Sequence, residues 1–444
     1  MKNDYLITEN PLKALIVFAI PMIIGNLFQQ AYTMADSAIV GRLVGEKALA
    51  AVGAAYSLTN IFICVAIGGG MGASVIVSQY FGHGNYGKLK KTVYTALVTF
   101  LVISVMLGVI GLVFSKNIMI AMNTPVEVLD MSVTYLQIYF LGLPFLFMYN
   151  VLSSMFNALG KSRIPLYFLI FSSVFNIVLD WVFVADFALD VAGVAWATLI
   201  AQGVSVLGSF TVLRKELKKL EGASDGIFEA EELLPMAKIA LPSILQQSTV
   251  SIGMMLVQSV VNSFGAESLA GFSAGMRIES ISIVPMAAVG NAISSYTAQN
   301  IGAGQLKRVS KGYVQANKMV IFFGVVICVI LELFPTQLIT LFLGADGSQV
   351  AIATGYGYLV FMGFFFFMIG FKMAADGVLR GAGDMKLFTI ANLVNLSIRV
   401  IMAMTLAPRF GIAWVWYAVP IGWTANFVIS YLEYRTGKWK TIRR

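Results

Sequence analysis

Apolar runs of about twenty residues recur from one end of the chain to the other, separated by short polar or glycine-rich connections. Each is long enough for a helix crossing roughly 30 Å of hydrocarbon. The pattern predicts twelve spans, at 13–41, 48–80, 92–114, 132–158, 164–185, 191–213, 234–264, 268–300, 316–343, 353–380, 386–407 and 411–433. Within three of them, polar side chains return at helical spacing. Span 1 carries Gln29, Tyr32, Thr33 and Asp36; span 5 carries Ser172, Asn176 and Asp180; span 6 carries Thr198, Gln202 and Ser205. Amphipathic faces inside a membrane must point at one another or at water.

Composition agrees with that pattern. Of 444 residues, 58% are hydrophobic and 12% charged, against about 25% charged in a soluble domain. The expected fold class is an all-α polytopic membrane protein. The net charge of +8 is a topology signal and implies no nucleic-acid partner. Lys88, Lys90, Lys91, Lys161, Arg163, the 214–219 run, Lys307, Arg308, Lys311 and the 435–444 tail fall on one set of connections. The alternate connections hold Arg42, Lys47, Lys116 and Arg409 beside Glu127, Asp130, Asp186 and Asp190. The positive-inside rule then puts the basic loops and both termini in the cytoplasm, in a multi-pass cell-membrane protein. The first thirteen residues carry Asp4 and Glu9 and no small-residue cleavage site, so no removable signal peptide is read there. Cys64 and Cys328 lie in apolar runs and suggest packing, not a disulfide framework; His83 sits alone in a glycine-rich loop.

The polar stretch 214–234 divides two similar halves, 1–220 and 221–444. FAIPMIIGNLFQQ from Phe18 matches IALPSILQQS from Ile239. GEKALAAVGA from Gly45 matches GAESLAGFSA from Gly265, and SQYFGHGNYGKLKK from Ser78 matches AQNIGAGQLKRVSK from Ala298. NALGKSRIP from Asn157 meets RGAGDMKLF from Arg380. The matches run in order at shifts of 220 to 223 residues, Pro21 to Pro242 being 221. Two six-span copies in the same orientation are parallel repeats about an axis along the membrane normal, an arrangement that encloses a cleft able to open to either side.

Charges inside the bilayer cost at least about 2.5–3.5 kcal/mol each and need an explanation. Span 5 enters near Pro165, which puts Asp180 about 22 Å along its helix; span 1 reaches Asp36 late, so both carboxylates fall in the outer part of the membrane. Two carboxylates close together in low dielectric cannot both ionise cheaply, so the pair can take up and release a proton. With Asn176 and Thr198 supplying neutral oxygens, the same cluster suits a sodium ion. The competing reading is structural: each aspartate caps a helix end or, for Asp36, pairs with Arg42. In the repeat, Asp36 aligns with Val257, Asp180 falls near Ala403 and Asn176 aligns with Arg399, so the scaffold does not demand the carboxylates. Lys372, Asp376 and Arg380 form an i, i+4, i+8 ladder that reads as structural; Glu279 reads equally as cleft-lining or structural. The 22 methionines and 32 phenylalanines serve lipid contact and packing, and any that face the cleft make a soft wall for varied lipophilic molecules. No P-loop, HExxH pair, GxSxG elbow or Cys/His cluster is present, which argues against an enzyme and against ATP as the energy source.

Several motifs together resemble the MATE (multidrug and toxic compound extrusion) transporters. They are Ile20-Pro21 followed by Asp36 and Gly41, the loops SQYFGHGNYGKLKK and AQNIGAGQLKR, NALGKSR, and VLRGAGD before span 11. The resemblance implies a V-shaped pair of pseudo-symmetric six-helix bundles that exports cationic or lipophilic drugs in antiport with H⁺ or Na⁺. It implies no cofactor, membrane lipid as surroundings, and a monomer with no obligatory protein partner. The DinF-like branch carries its ion site in the first half, matched here by Asp36, Asn176, Asp180 and Thr198, which would also be the metal ligands under sodium coupling. By the same comparison Tyr32, Tyr135 and Asn150 are cavity residues. Gln29, on the same face as Tyr32, and Glu279 are added as cavity candidates, and Pro21 as the hinge of span 1. The NorM-like branch fits less well, because Gln246, Gln247 and Thr249 include no glutamate and FMGFFFFMIGF includes no aspartate. The alternative function is a flippase for a lipid-linked oligosaccharide precursor. Anionic cargo would want several cationic side chains in the cleft, and only Arg277, Lys372 and Arg399 lie inside spans.

Overall fold

A computed structural model describes residues 4–441, apart from 188, 223–225, 227 and 345–346 and apart from the side chains of 42, 43, 46, 49, 57 and 185. The expected Asp36–Arg42 pairing and the last three residues of the basic tail therefore lie outside the described residues. The chain is helical. A short α1 (Tyr5–Thr8) leads into α2 (Pro11–Ile39), α3 (Glu46–His83), α4 (Tyr86–Ala121), α5 (Val126–Ala158), α6 (Arg163–Trp181) and α7 (Asp190–Lys218). The second half holds α8 (Leu233–Asn262), α9 (Ala266–Ser282), α10 (Val284–Gly302), α11 (Leu306–Leu333) and α12 (Pro335–Leu343). It ends with α13 (Gln349–Gly363), α14 (Phe366–Ala382), α15 (Met385–Phe410) and α16 (Ala413–Thr436).

Among the described residues nine helices are long and apolar enough to cross a membrane, and α13 with α14, bent by 53°, makes a tenth. The other two expected spans are present in altered form. Span 268–300 is broken at Ile283, because Pro285 in the first turn of α10 cannot donate to the preceding turn. Span 411–433 is the single helix α16, whose Asn426, Ser430 and Glu433 are buried and lower its hydropathy. Span 316–343 also divides, at Phe334, because Pro335 opens α12. The fold is therefore the expected twelve-span helical one, with kinks that an average over hydropathy cannot see.

Outward faces are as apolar as the interior. Along α4, Val102, Met106, Val109 and Val113 are exposed while Ser104, Gly108, Gly111 and Ser115 are buried. Lipid replaces water as the outer solvent, and small residues mark the packed side.

Packing separates the chain into two compact units, Ile24–Ile244 and Met1–Ile23 with Leu245–Arg444. In the first, α3 approaches α8 so closely that a Cβ on Gly72 would lie 2.4 Å from the Ala240 backbone. In the second, a Cβ on Gly377 of α14 would lie 2.4 Å from the Gly290 carbonyl of α10. The duplication recurs in the turns: α3 and α10 are each followed by a glycine in the left-handed region, Gly84 (φ 76°) and Gly304 (φ 71°), which only glycine adopts freely.

Candidate ion-coupling site

The three polar faces meet within the unit Ile24–Ile244. Gln29 and Tyr32 from α2, Ser172 and Asn176 from α6, and Thr198 and Gln202 from α7 line one cavity of about 60 Å³, joined by Tyr149 of α5 and by Ser173. Thr198 and Gln202 also border a second cavity of about 30 Å³, lined by Tyr135 and Tyr139. Such volumes hold a few water-sized atoms, far below the 300 Å³ or more of a drug site. The chamber as it stands is suited to an ion and its water.

At the head of the chamber the side chains form a network. Tyr32 Oη lies 2.5 Å from the Asn176 amide. The orientation of that amide follows from its neighbours. With its nitrogen turned inward, it donates to Tyr32 Oη and, at 3.0 Å, to Asp180 Oδ2. Its oxygen then accepts from the Thr198 backbone N–H at 3.1 Å. The opposite orientation leaves acceptor facing acceptor at Asp180. Asp180 is fully buried and Asn176 is 2% exposed.

The carboxyls of Asp36 and Asp180 lie within each other's electrostatic field, and Oδ1 of each is buried without a hydrogen-bond partner. Two carboxyl groups can hydrogen-bond only if one carries a proton. A cation is the other way to satisfy two facing acceptors. Tyr32 and Tyr135 lie in the field of both carboxyls.

Just beyond each aspartate the helix widens into a π turn, Val40–Val44 after Asp36 and Val182–Asp186 after Asp180. The two turns touch. Val40, Val184, Val191 and Val194 pack with Ala48 into an apolar plug beside Tyr135. Wide turns of this kind often accompany functional sites; here each follows one of the two aspartates, and neither Asp36 nor Asp180 is among the residues lining the two cavities.

The remaining sequence candidates lie elsewhere. Thr33 is exposed and bonds back to Gln29 O; Ser205 bonds to Phe168 O. Asn150 donates to Leu146 O within its own helix. Glu279 is buried in the other unit, within the field of Arg399, and Pro21 sits inside α2. Three polar residues of the chamber walls fall outside the sequence expectation: Tyr139, Tyr149 and Ser173. The signal for two of them was available, since Tyr135, Tyr139, Leu146 and Tyr149 fall on one stripe of α5.

Comparison with known proteins identifies the family of the fold. The family model for MatE fits residues 21–182 and again 242–405, so the duplication is a duplication of the family unit itself. The probable multidrug resistance protein YpnP of Bacillus subtilis (strain 168) is 31% identical over 436 residues, covering 98% of this chain and 97% of the other. YoeA, a probable multidrug resistance protein of the same organism, is 27% identical, covering 95% and 93%. A solved structure of a MATE protein in complex with MaL6 superposes with a TM-score of 0.91 at 24% identity, covering 100% of this chain and 99% of the other. The chain belongs to the MATE family of multi-pass membrane transporters, which are not enzymes and need no cofactor.

Proposed function

We propose that this chain is a secondary active exporter of small lipophilic or cationic drugs, driven by proton entry through the Asp36–Asp180 pair. It works in the cell membrane as a monomer with both termini cytoplasmic, and the half 1–220 carries the coupling site, as in the DinF-like branch. The multidrug part of this reading is supported by relatives named for multidrug resistance and export.

The observation that carries proton coupling is the pair of neighbouring carboxyls, each with a buried Oδ1 that no donor reaches. A proton completes that pair with no further ligand. Sodium wants about six oxygens, in the manner of other hard cations, and the Asn176 amide turns its nitrogen, not its oxygen, toward Asp180. The pair holds one proton while the chamber is closed. When the chamber opens outward, loss of that proton leaves a dianion that attracts an organic cation. Proton and cation then favour opposite states of one site, which suffices for exchange.

The test is uptake of ethidium into proteoliposomes under a proton gradient and, separately, a sodium gradient. The proton gradient alone drives uptake in the wild type. Asp180→Asn, which keeps the shape and the hydrogen-bonding capacity but cannot release a proton, lowers the driven rate by roughly a hundredfold, in the range lost with an essential proton-transfer group, while the protein still inserts and folds. Driven uptake at the wild-type rate in this variant, or drive by sodium alone, ends the reading.

A further inference from the structure

We infer that the unit containing α8 to α16 holds a subsite for a compact oxyanion, a carboxylate or phosphate head on an amphipathic molecule, built on Arg399. This is a second site, distinct from the aspartate chamber and independent of the coupling ion.

A small cavity of about 30 Å³ lies in that unit, lined by Met254, Val257, Gln258, Phe272, Tyr358 and Arg399, among others. Its position follows from the duplication. Val257 aligns with Asp36, Arg399 aligns with Asn176, and Ala403 falls near the position of Asp180. The two carboxyls of the first copy are absent from the second, and its amide is replaced by a guanidinium. The same wall that is acidic in one repeat is basic in the other.

Arg399 stands on α15, one of the nine long apolar helices. A cation there needs a counter-charge or a function. Its Nε is buried without a hydrogen-bond partner. Glu279 lies within electrostatic range, but among the described residues the two form no ion pair, and Glu279 Oε2 is itself buried without a partner. Lys372 and Asp376 show what a self-satisfied pair looks like in the same unit: they meet at 3.2 Å and share Asn392. Arg399 keeps an unpartnered Nε at a cavity wall.

The chemistry of the lining selects the ligand. A guanidinium fork pairs best with a planar or tetrahedral oxyanion. The volume admits a head group of a few atoms and no ring, while Met254, Phe272 and Met276 in the lining offer polarisable surface to an apolar body. The charge of Arg399 beside Val257, Val415 and Val419 excludes a hydrated divalent ion.

Binding can be measured without any gradient, so failure of this inference is separable from failure of proton-coupled export. Purified full-length protein in phosphatidylcholine nanodiscs is titrated with anthracene-9-carboxylate and with uncharged anthracene-9-carboxamide, reading probe fluorescence. The carboxylate binds at least tenfold tighter than the amide. Arg399→Gln abolishes that preference and leaves the amide unchanged, whereas Arg277→Gln, which removes an equal charge elsewhere, keeps it. Should Arg399→Gln fail to fold, Val257→Phe fills the cavity beside an intact arginine and removes the preference equally. Added phosphatidylglycerol that erases the preference assigns the subsite to a lipid phosphate; a preference that survives assigns it to soluble carboxylates. Equal affinity for both probes in the wild type, or a preference that persists in Arg399→Gln, overturns the inference.

Discussion

Single carboxyls in this chain behave according to what surrounds them, and Asp384 shows the rule outside the membrane. It lies between α14 and α15, 8% exposed, with Oδ2 lacking a partner. Burial, then the neighbouring Glu433, push its carboxyl above the ordinary aspartate range, and Lys438 only partly opposes them. A group raised in the folded state gives its full stability below its unfolded value, near pH 4, and loses it as pH rises through the folded value. Asp384→Asn therefore melts with the wild type near pH 4 and at a higher temperature at pH 8. Parallel melting curves across that range would show that the burial is relieved some other way. Sequence alone identified Asp36, Asn176, Asp180 and Thr198 as one cluster because each sits on a polar stripe in an apolar run. It could not orient the Asn176 amide, because the direction of a planar group depends on the donors around it. Nor could spacing separate Asn150, which bonds back to its own helix, from Tyr149 one residue away, which faces the chamber.

At the scale of elements, the legible part is length and the illegible part is interruption. The apolar pattern reads 268–300 as one span, although the helix breaks at Ile283, and it is blind to the π turns after Asp36 and Asp180. Those turns depend on one extra residue accommodated against a neighbour, a tertiary matter. The short α1 is another element that no pattern predicts, and it is held by name-able bonds. Arg308 of α11 donates through Nη2 to Glu9 O at 2.7 Å and to Leu6 O at 3.3 Å, and through Nε to Asn300 Oδ1 at 2.9 Å. Asn300 in turn donates to Leu6 O at 3.0 Å. Bonds to a charged donor contribute about 1.5–3 kcal/mol. Arg308→Ala should thus free α1 while leaving α11 helical, seen as amide exchange over residues 4–10 at least tenfold faster than in the wild type with exchange over Val309–Leu331 unchanged. Equal protection of 4–10 in both proteins would mean that Tyr5 and Leu6, buried in the apolar core, hold the segment unaided.

Over the whole molecule, sequence duplication and packing divide the chain differently, and the difference locates two special helices. The repeat changes over near 220, yet residues 1–23 belong with 245–444, and 233–244 belong with 24–232. Two helices, α2 and α8, therefore each begin in one compact unit and end in the other. Each passes over two residues after an internal proline, Pro21 before the Ile23–Ile24 junction and Pro242 before Ile244–Leu245. A proline inside a helix gives no N–H to the carbonyl four residues earlier, here Val17 and Lys238, and weakens the helix by about 3 kcal/mol. The weak point recurs at equivalent positions of both repeats, each two residues before the chain passes from one unit to the other, and the prediction is that both prolines act as hinges. Restoring the missing bond should then stiffen the connection without touching either site. Pro21→Ala and Pro242→Ala are each expected to melt at or above the wild-type temperature and to bind ethidium within about twofold of it. Turnover in proteoliposomes should fall by roughly tenfold, and further in the double variant, because the opening step and not the chemistry of the site is slowed. A double variant that exports at the wild-type rate would show that both prolines are tolerated and neither is a hinge.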